Sequence, residues 1–487
     1  MTDGIPLKTR LQPDRYNCVW LVPDESGQVR RLVGDLELSA DRPPAGSAYG
    51  NIPLRLDPSP SGTRSAGFPQ QRSYPTLRGE LRNGLDVVLI EAETFSMSFD
   101  AASIDGRAAL VGWWPAPQET PLAFDDIKIQ VTGLDAIAGV GPLKSFTFPA
   151  GGRAFYEHPW KVEANPDSEQ TWSDGTATID LSYDASLSIG DPYFYRMSFS
   201  PVVRIKLSDR LTFNECLEKW VEPLRRLTCL ATGRAEKITY LAMGVQTEDR
   251  STRDGRLQVY GTGITQDPYA SREKDVRQKS PAFATKRDGI SLLGLLRGWQ
   301  SLLNEQHPLL ETYGSSIGIP QQHPRARYLL LIQAMEGMHG YENKAKNEAQ
   351  TAAHMARRDE ALGSLREVSG IPQSAMRFVQ RFLAKRPFSN LDTCLREVIE
   401  SVPTNVMREL DDADLIRSVA ADSRSPQGTP GSLRIIRNDL AHGTKGYPVY
   451  LLHEVSQILE RVVRAHLLRI LGCGEEVQAR VARASQH

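Results

Sequence analysis

Cysteine is scarce in this chain and scattered. Cys18, Cys216, Cys229, Cys394 and Cys473 include no pair at C-x-x-C spacing, which argues against a disulfide framework and a thiolate zinc site. Net charge is nearly absent too: 58 basic against 59 acidic residues leave −1, with a pI near 6.8. Bulk electrostatic attraction to nucleic acid is therefore not implied. No apolar run approaches the ~18 residues of a membrane span, and "MTDGIPLKTR" lacks the basic-then-apolar order of a secretory signal. The expectation is a cytoplasmic protein with no membrane partner. A Walker A loop, a Gly-x-Gly-x-x-Gly turn and a His-Glu-x-x-His helix are all missing, so P-loop, Rossmann and zincin chemistries have no support. No metal and no cofactor is expected. Gly314 to Gly318, "GSSIG", matches the nucleophile elbow only in its letters, because helical sequence precedes it and Pro320 follows.

What is present is length and an ordinary globular composition. At 487 residues, 40% hydrophobic and 24% charged, the chain is too long for one core and implies two or three domains. Charge is unevenly divided: 23 basic and 19 acidic residues from Gln321 onward, against 35 and 40 before it. This is a weak lean towards an anionic ligand at the C-terminal end.

The two halves follow different periodicities. Up to about residue 266, short runs of Val, Ile, Leu, Phe and Tyr alternate with Gly, Pro, Asn and Asp, the pattern of β-structure. Asn83-Gly84 in "LRGELRNGLDVVLIEAE" is the clearest hairpin signal. One helix, "TFNECLEKWVEPLRRLTCL", interrupts the strands, with Pro223 a candidate break. Residues 267–286 are polar and aperiodic and read as a linker. From 287 to 487 apolar residues recur at spacings of three and four, including "RARYLLLIQAMEGMHGYENKAKNEA" as one helix and "SLRIIRNDLAHG" as another of about three turns. The expected fold class is α+β multidomain, a β-rich N-terminal domain followed by an all-α helical bundle.

Three Arg/His pairs lie five residues apart: Arg153/His158, Arg437/His442 and Arg461/His466. The first sits among strand-like sequence, and the third lies inside a long amphipathic helix, where a solvated Arg and a partly buried His suffice. The second differs in context. Asn438 follows the Arg, and Gly443 follows the His as a natural left-handed helix stop. At ~100° per residue Arg437 and His442 lie about 140° apart around the helix, while Asn438 and His442 share a face. The bland alternative has His442 as a helix cap and Arg437 paired with Asp439 or Glu454. On "LIQAMEGMHGYEN", Glu336, His339 and Asn343 continue the apolar stripe of Tyr328, Ile332 and Met335. A carboxylate on such a face is either buried with a partner or at the edge of a site. Glu336 is placed to orient Arg437 or His442, and His339 is a second supporting residue. Between Arg357 and Arg386 seven bases face three acids, with Arg357, Arg358, Arg377 and Arg381 as candidate RNA-backbone contacts and a solvated helix surface as the alternative.

"RNDLAHG" resembles the Arg-x-x-x-x-His signature of HEPN domains, helical modules of which many are metal-independent ribonucleases. "LIQAMEGMHGYEN" resembles the first core helix of that module in ApeA-like phage-defence proteins, and "LRGELRNGLDVVLIEAE" resembles their N-terminal domain. The resemblance implies a HEPN core at about 323–473 and a sensing or regulatory domain at 1–266. It implies a catalytic set of Arg437, Asn438 and His442, and an RNA substrate cleaved by its own 2′-OH to leave 2′,3′-cyclic phosphates. A homodimer or higher even oligomer would supply two copies of each catalytic residue, since one His cannot easily act as both acid and base. The implied role is abortive-infection defence, with a phage-derived trigger at the N-terminal domain. The competing expectation is an inactive HEPN scaffold that binds RNA or a protein partner. A carbohydrate- or peptide-binding role for the N-terminal half also stays open.

Overall fold

The computed structural model describes residues 4–483 except 25, 41, 54–56, 59–63, 66, 114–121, 148–160, 192–193, 245–254, 320–321, 369, 385–389 and 423–427. The chain divides into two compact units, Met1–Leu296 and Arg297–His487. The first is β-rich and the second helical, the order the sequence indicated. Among the described residues no helix is long and apolar enough to cross a membrane.

In the first unit, β1 (Arg15–Pro23), β2 (Val29–Glu37), β3 (Ala45–Tyr49), β6 (Gln70–Leu81), β7 (Asp86–Ser96) and β8 (Ala101–Asp105) close into an antiparallel barrel in the order β1-β2-β3-β8-β7-β6. Two strand pairs, β4 (Asp57–Pro58) with β5 (Arg64–Ser65) and β11 (Leu143–Thr147) with β12 (Lys161–Ala164), stand apart from the main sheet. The barrel closes around Trp20, which is fully buried and donates Nε1–H to the carbonyl oxygens of Asp35 at 3.2 Å and Ser47 at 3.1 Å. Small residues make the room. A Cβ on Gly34 would stand 1.8 Å from the Ser47 carbonyl oxygen and 3.0 Å from the indole, and one on Gly79 only 2.5 Å from Cys18 Sγ. The Asn83-Gly84 hairpin joins β6 to β7 as expected, with Gly84 at φ 79° and Asn83 Oδ1 accepting Leu85 N–H at 3.2 Å.

On the edge away from β6, strand β7 serves two further partners. Asp86–Ile90 pair with β9 (Ala108–Gly112), and Glu93–Ser96 pair with β8. Glu91, at φ +50°, lies between the two segments. From β9 the sheet continues through β17 (Leu257–Gly261), β16 (Ile238–Gly244), β10 (Ala123–Val131), β15 (Phe194–Thr212), β14 (Ala177–Asp191) and β13 (Gln170–Ser173). The helix after β15 does not break at Pro223. It passes from Phe213–Cys216 through a π-turn, Leu217–Val221, into Glu222–Thr232. The wider turn sends Glu222 N–H to Leu217 O, so the N–H that proline lacks falls among the turn's shifted bonds. Residues 267–286, read from sequence as a linker, lie inside the first unit. Tyr269 exchanges hydrogen bonds with Gln130, and Ala282, Phe283 and Ala284 are buried.

In the second unit the main helices are α1 (Pro324–Glu342), α2 (Lys344–Glu367), α3 (Gln373–Phe382), α4 (Leu391–Glu400), α5 (Val406–Asp412), α6 (Asp414–Asp422), α7 (Thr429–His442), α8 (Val449–Ile470) and α9 (Glu475–Ala482). The expected single helix from Arg325 into the 340s is two, because Asn343 turns the chain and its Nδ2 caps the carbonyl of His339 at 3.0 Å. Helix α7 has 14 residues, longer than the three turns anticipated, because Pro430 sits in its first turn, where a missing N–H costs nothing. Tyr328, Ile332 and Met335 are fully buried, and Tyr328 OH donates to Leu433 O at 2.8 Å, fixing α1 against α7. Ser316 of "GSSIG" is buried and donates to Tyr313 O at 3.0 Å, with a π-turn rather than a strand before it.

Gly34→Ala should lower the midpoint of urea unfolding of the full chain, at a cost at or above the ~1–3 kcal/mol of ordinary overpacking, because the obstacle is backbone. An unchanged midpoint would show that β2 and β3 do not approach this closely.

Candidate functional site

Helix α7 ends at His442 because Gly443 takes the left-handed conformation (φ 70°) and returns its N–H to Asp439 O. The chain beyond is clamped. Asp439 Oδ1 accepts Thr444 Oγ1–H at 2.8 Å, and Oδ2 accepts Tyr447 OH at 2.6 Å. The Tyr447 bond, more than any other contact, holds the Asp439 carboxyl below the usual carboxylate range. Asp439 is thereby occupied with the turn and is not the partner of Arg437.

The Arg437 partner is Glu336 of α1. Nη2 stands 4.0 Å from Glu336 Oε2, and Nη1 donates to Asn438 Oδ1 at 3.1 Å. Both charged side chains keep substantial solvent exposure, 37% and 49%. A half-exposed pair at that distance is loose and readily exchanged for another anion. A groove of about 550 Å³ opens here, lined by Leu329, Gln333, Glu336, Gly337, Arg437 and Ala441. Arg325 reaches from the start of α1 to the carbonyl of Leu440. That contact fixes the last turn of α7 from the α1 side.

His442 is exposed, and its imidazole makes no hydrogen bond among the described residues. Asn438 therefore does not orient its imidazole; the amide is turned to Arg437 instead. His339, one turn beyond Glu336, pairs with Glu397 of α4 at 2.7 Å, which draws the Glu397 carboxyl below its ordinary range. Glu397 was not legible in sequence. It lies 58 residues from His339, and no local pattern marks it. Among the described residues no group of three or more His, Cys, Asp or Glu is placed to hold a metal ion.

The four candidate RNA-contact arginines divide. Arg357 and Arg377 are exposed. Arg381, also exposed, lies 5.5 Å over the Phe382 ring. Arg358 is turned inward, donating to Gln380 O at 2.9 Å and Leu383 O at 3.2 Å, where it ties the end of α3 to α2. Of the other Arg/His pairs, Arg461 is bonded to Glu409 and Ala482 O rather than solvated, and His466 is buried against Val398 O at 2.9 Å. Arg153 and His158 lie outside the described residues.

A family model described as ApeA N-terminal domain 1 matches residues 16–299. No curated protein and no solved structure matches the chain. The matched span ends before α1, so Arg437 and its neighbours lie beyond it.

The clamp carries a pH prediction. A carboxyl whose folded pKa is depressed stabilises fully above its unfolded value, near pH ~4, and that stabilisation is lost as pH falls through the folded value. Tyr447→Phe should cost on the order of 1 kcal/mol at pH 7. The gap between the two proteins in urea unfolding should narrow below pH ~4. A gap that stays constant to pH 3 would mean that the bond does not act on the ionised carboxyl.

Proposed function

This chain belongs to the ApeA N-terminal domain 1 family, which makes it an anti-phage defence protein, and from that premise we propose that its second unit is a HEPN endoribonuclease. RNA supplies its own nucleophile, the 2′-OH beside each phosphate. Cleavage then needs a base for that proton, an acid for the leaving 5′-oxygen and a cation beside the anionic phosphorane. His442 takes the proton-transfer role, and Arg437 exchanges Glu336 for the phosphate oxygens. Asn438 steadies the guanidinium. The products are a 2′,3′-cyclic phosphate and a 5′-OH, with no metal in the step. A homodimer through the helical unit brings a second His442 for the other proton. The first unit senses a phage-derived trigger and keeps the nuclease silent until then, as abortive infection demands of an enzyme able to attack host RNA. We place the protein in the cytoplasm, which suits five cysteines that are all free and buried.

One observation carries the reading: the last turn of α7 holds an exposed His whose imidazole makes no hydrogen bond among the described residues, beside an Arg bound only loosely. The contact of Arg437 with Glu336 and Asn438 favours a second reading, a catalytically inactive HEPN scaffold binding RNA or a protein partner.

Purified protein supplied with phage-infected lysate should cleave total RNA in EDTA, and the same protein without the lysate should cleave far less. His442→Ala and Arg437→Ala should each lower the rate about 100-fold or more while remaining folded. Equal activity in parent and variants, or none in any of them under both conditions, favours the scaffold.

A further inference from the structure

A second groove, of about 900 Å³, opens beside the one at Arg437, and Glu336 lines both. That volume falls in the range of small-ligand sites, roughly 300–1,000 Å³. Its walls are the end of α1, the first half of α2 and the start of α4. Its charge is wrong for holding phosphate, since Glu336, Glu348 and Glu397 outnumber Lys344 and Lys346. Its chemistry is instead that of side chains able both to donate and to accept. Asn347 and Gln350 have no side-chain hydrogen bond among the described residues, and Asn390 engages only its carbonyl oxygen, which accepts Asp392 N–H at 3.0 Å. His339 and Glu397 fix each other's orientation in the wall, and Met355 and Leu391 add apolar surface.

Uncommitted amides, oriented carboxylates and apolar surface are what reads the edge of a base splayed out of a single strand. We propose that this groove is a nucleobase subsite, seating an unstacked base with an exocyclic amine next to the phosphate held at Arg437. The proposal rests on the ribonuclease reading for its substrate class. Guanine, adenine and cytosine present an amine that a carboxylate can accept; uracil does not.

Binding is measured on full-length His442→Ala protein by fluorescence anisotropy, using short oligouridine strands with one position changed to A, C or G. The amine-bearing base should tighten binding about tenfold or more. Adding Asn347→Ala and Glu397→Gln should abolish that preference, so that the A, C and G strands bind the variant no more tightly than the all-uridine strand does. Both residues are exposed, and a matching thermal melt verifies the fold; Gln350→Ala serves as the second variant if it does not. Equal affinity for all strands, or a preference that survives the substitutions, overturns the subsite. Parallel cleavage assays on the parent protein separate the two ideas. Base-selective binding without cleavage keeps the subsite and removes the nuclease, while cleavage indifferent to base does the reverse. No measurable binding of any strand overturns the subsite.

Discussion

A helix carrying functional groups in its last turn must stop cleanly, and the stop of α7 is the constraint on which the candidate site depends. Gly443 supplies the left-handed residue, and Asp439, bonded to Thr444 and Tyr447, holds the emerging chain. Had the helix run on, His442 would sit in mid-helix with a further turn beside it. Ending it there leaves the imidazole exposed, one turn past an Arg that faces α1. The clamp also keeps Asp439 from neutralising Arg437, so the guanidinium stays available to a second anion.

The same logic explains why the partner of Arg437 is Glu336. Helix α1 is anchored to α7 by contacts that use none of the candidate side chains, Tyr328 to Leu433 O and Arg325 to Leu440 O. With the two backbones fixed, Glu336 falls at the rim of the apolar stripe instead of within it, and its carboxylate meets the guanidinium across a groove at 4.0 Å. A buried pair would be rigid, and breaking it would cost several kcal/mol, roughly 3–5. A half-exposed pair orients Arg437 cheaply and yields to a phosphate. The groove at His339 and Glu397 extends from the same carboxylate, so Glu336 stands at the junction of the proposed phosphate and base sites.

What sequence revealed was local. The Asn83-Gly84 hairpin, the change from strand to helix periodicity and the glycine stop at Gly443 each depend on a few neighbouring residues, and each is present. The buried positions of Tyr328, Ile332 and Met335 follow from helical spacing alone. Contacts distant in sequence were not legible. Nothing near Trp20 announces a barrel, because its closure depends on glycines in β2, β3 and β6 that make room from three directions. Asn343 splitting one apolar stripe into two helices, and Arg358 turning inward to cap α3, are choices between local preferences that only packing decides. The partnership of His339 with Glu397 belongs to the same class.

In the proposed function, the end of α7 cleaves RNA through the RNA's own hydroxyl. The most direct test is a substrate with a single 2′-deoxynucleotide at the mapped cleavage position, compared with the all-ribose strand. The one missing hydroxyl should abolish cleavage at that position and leave binding unchanged. Cleavage that persists at the deoxy position would mean that water is the nucleophile, and that the roles assigned to Arg437 and His442 are wrong.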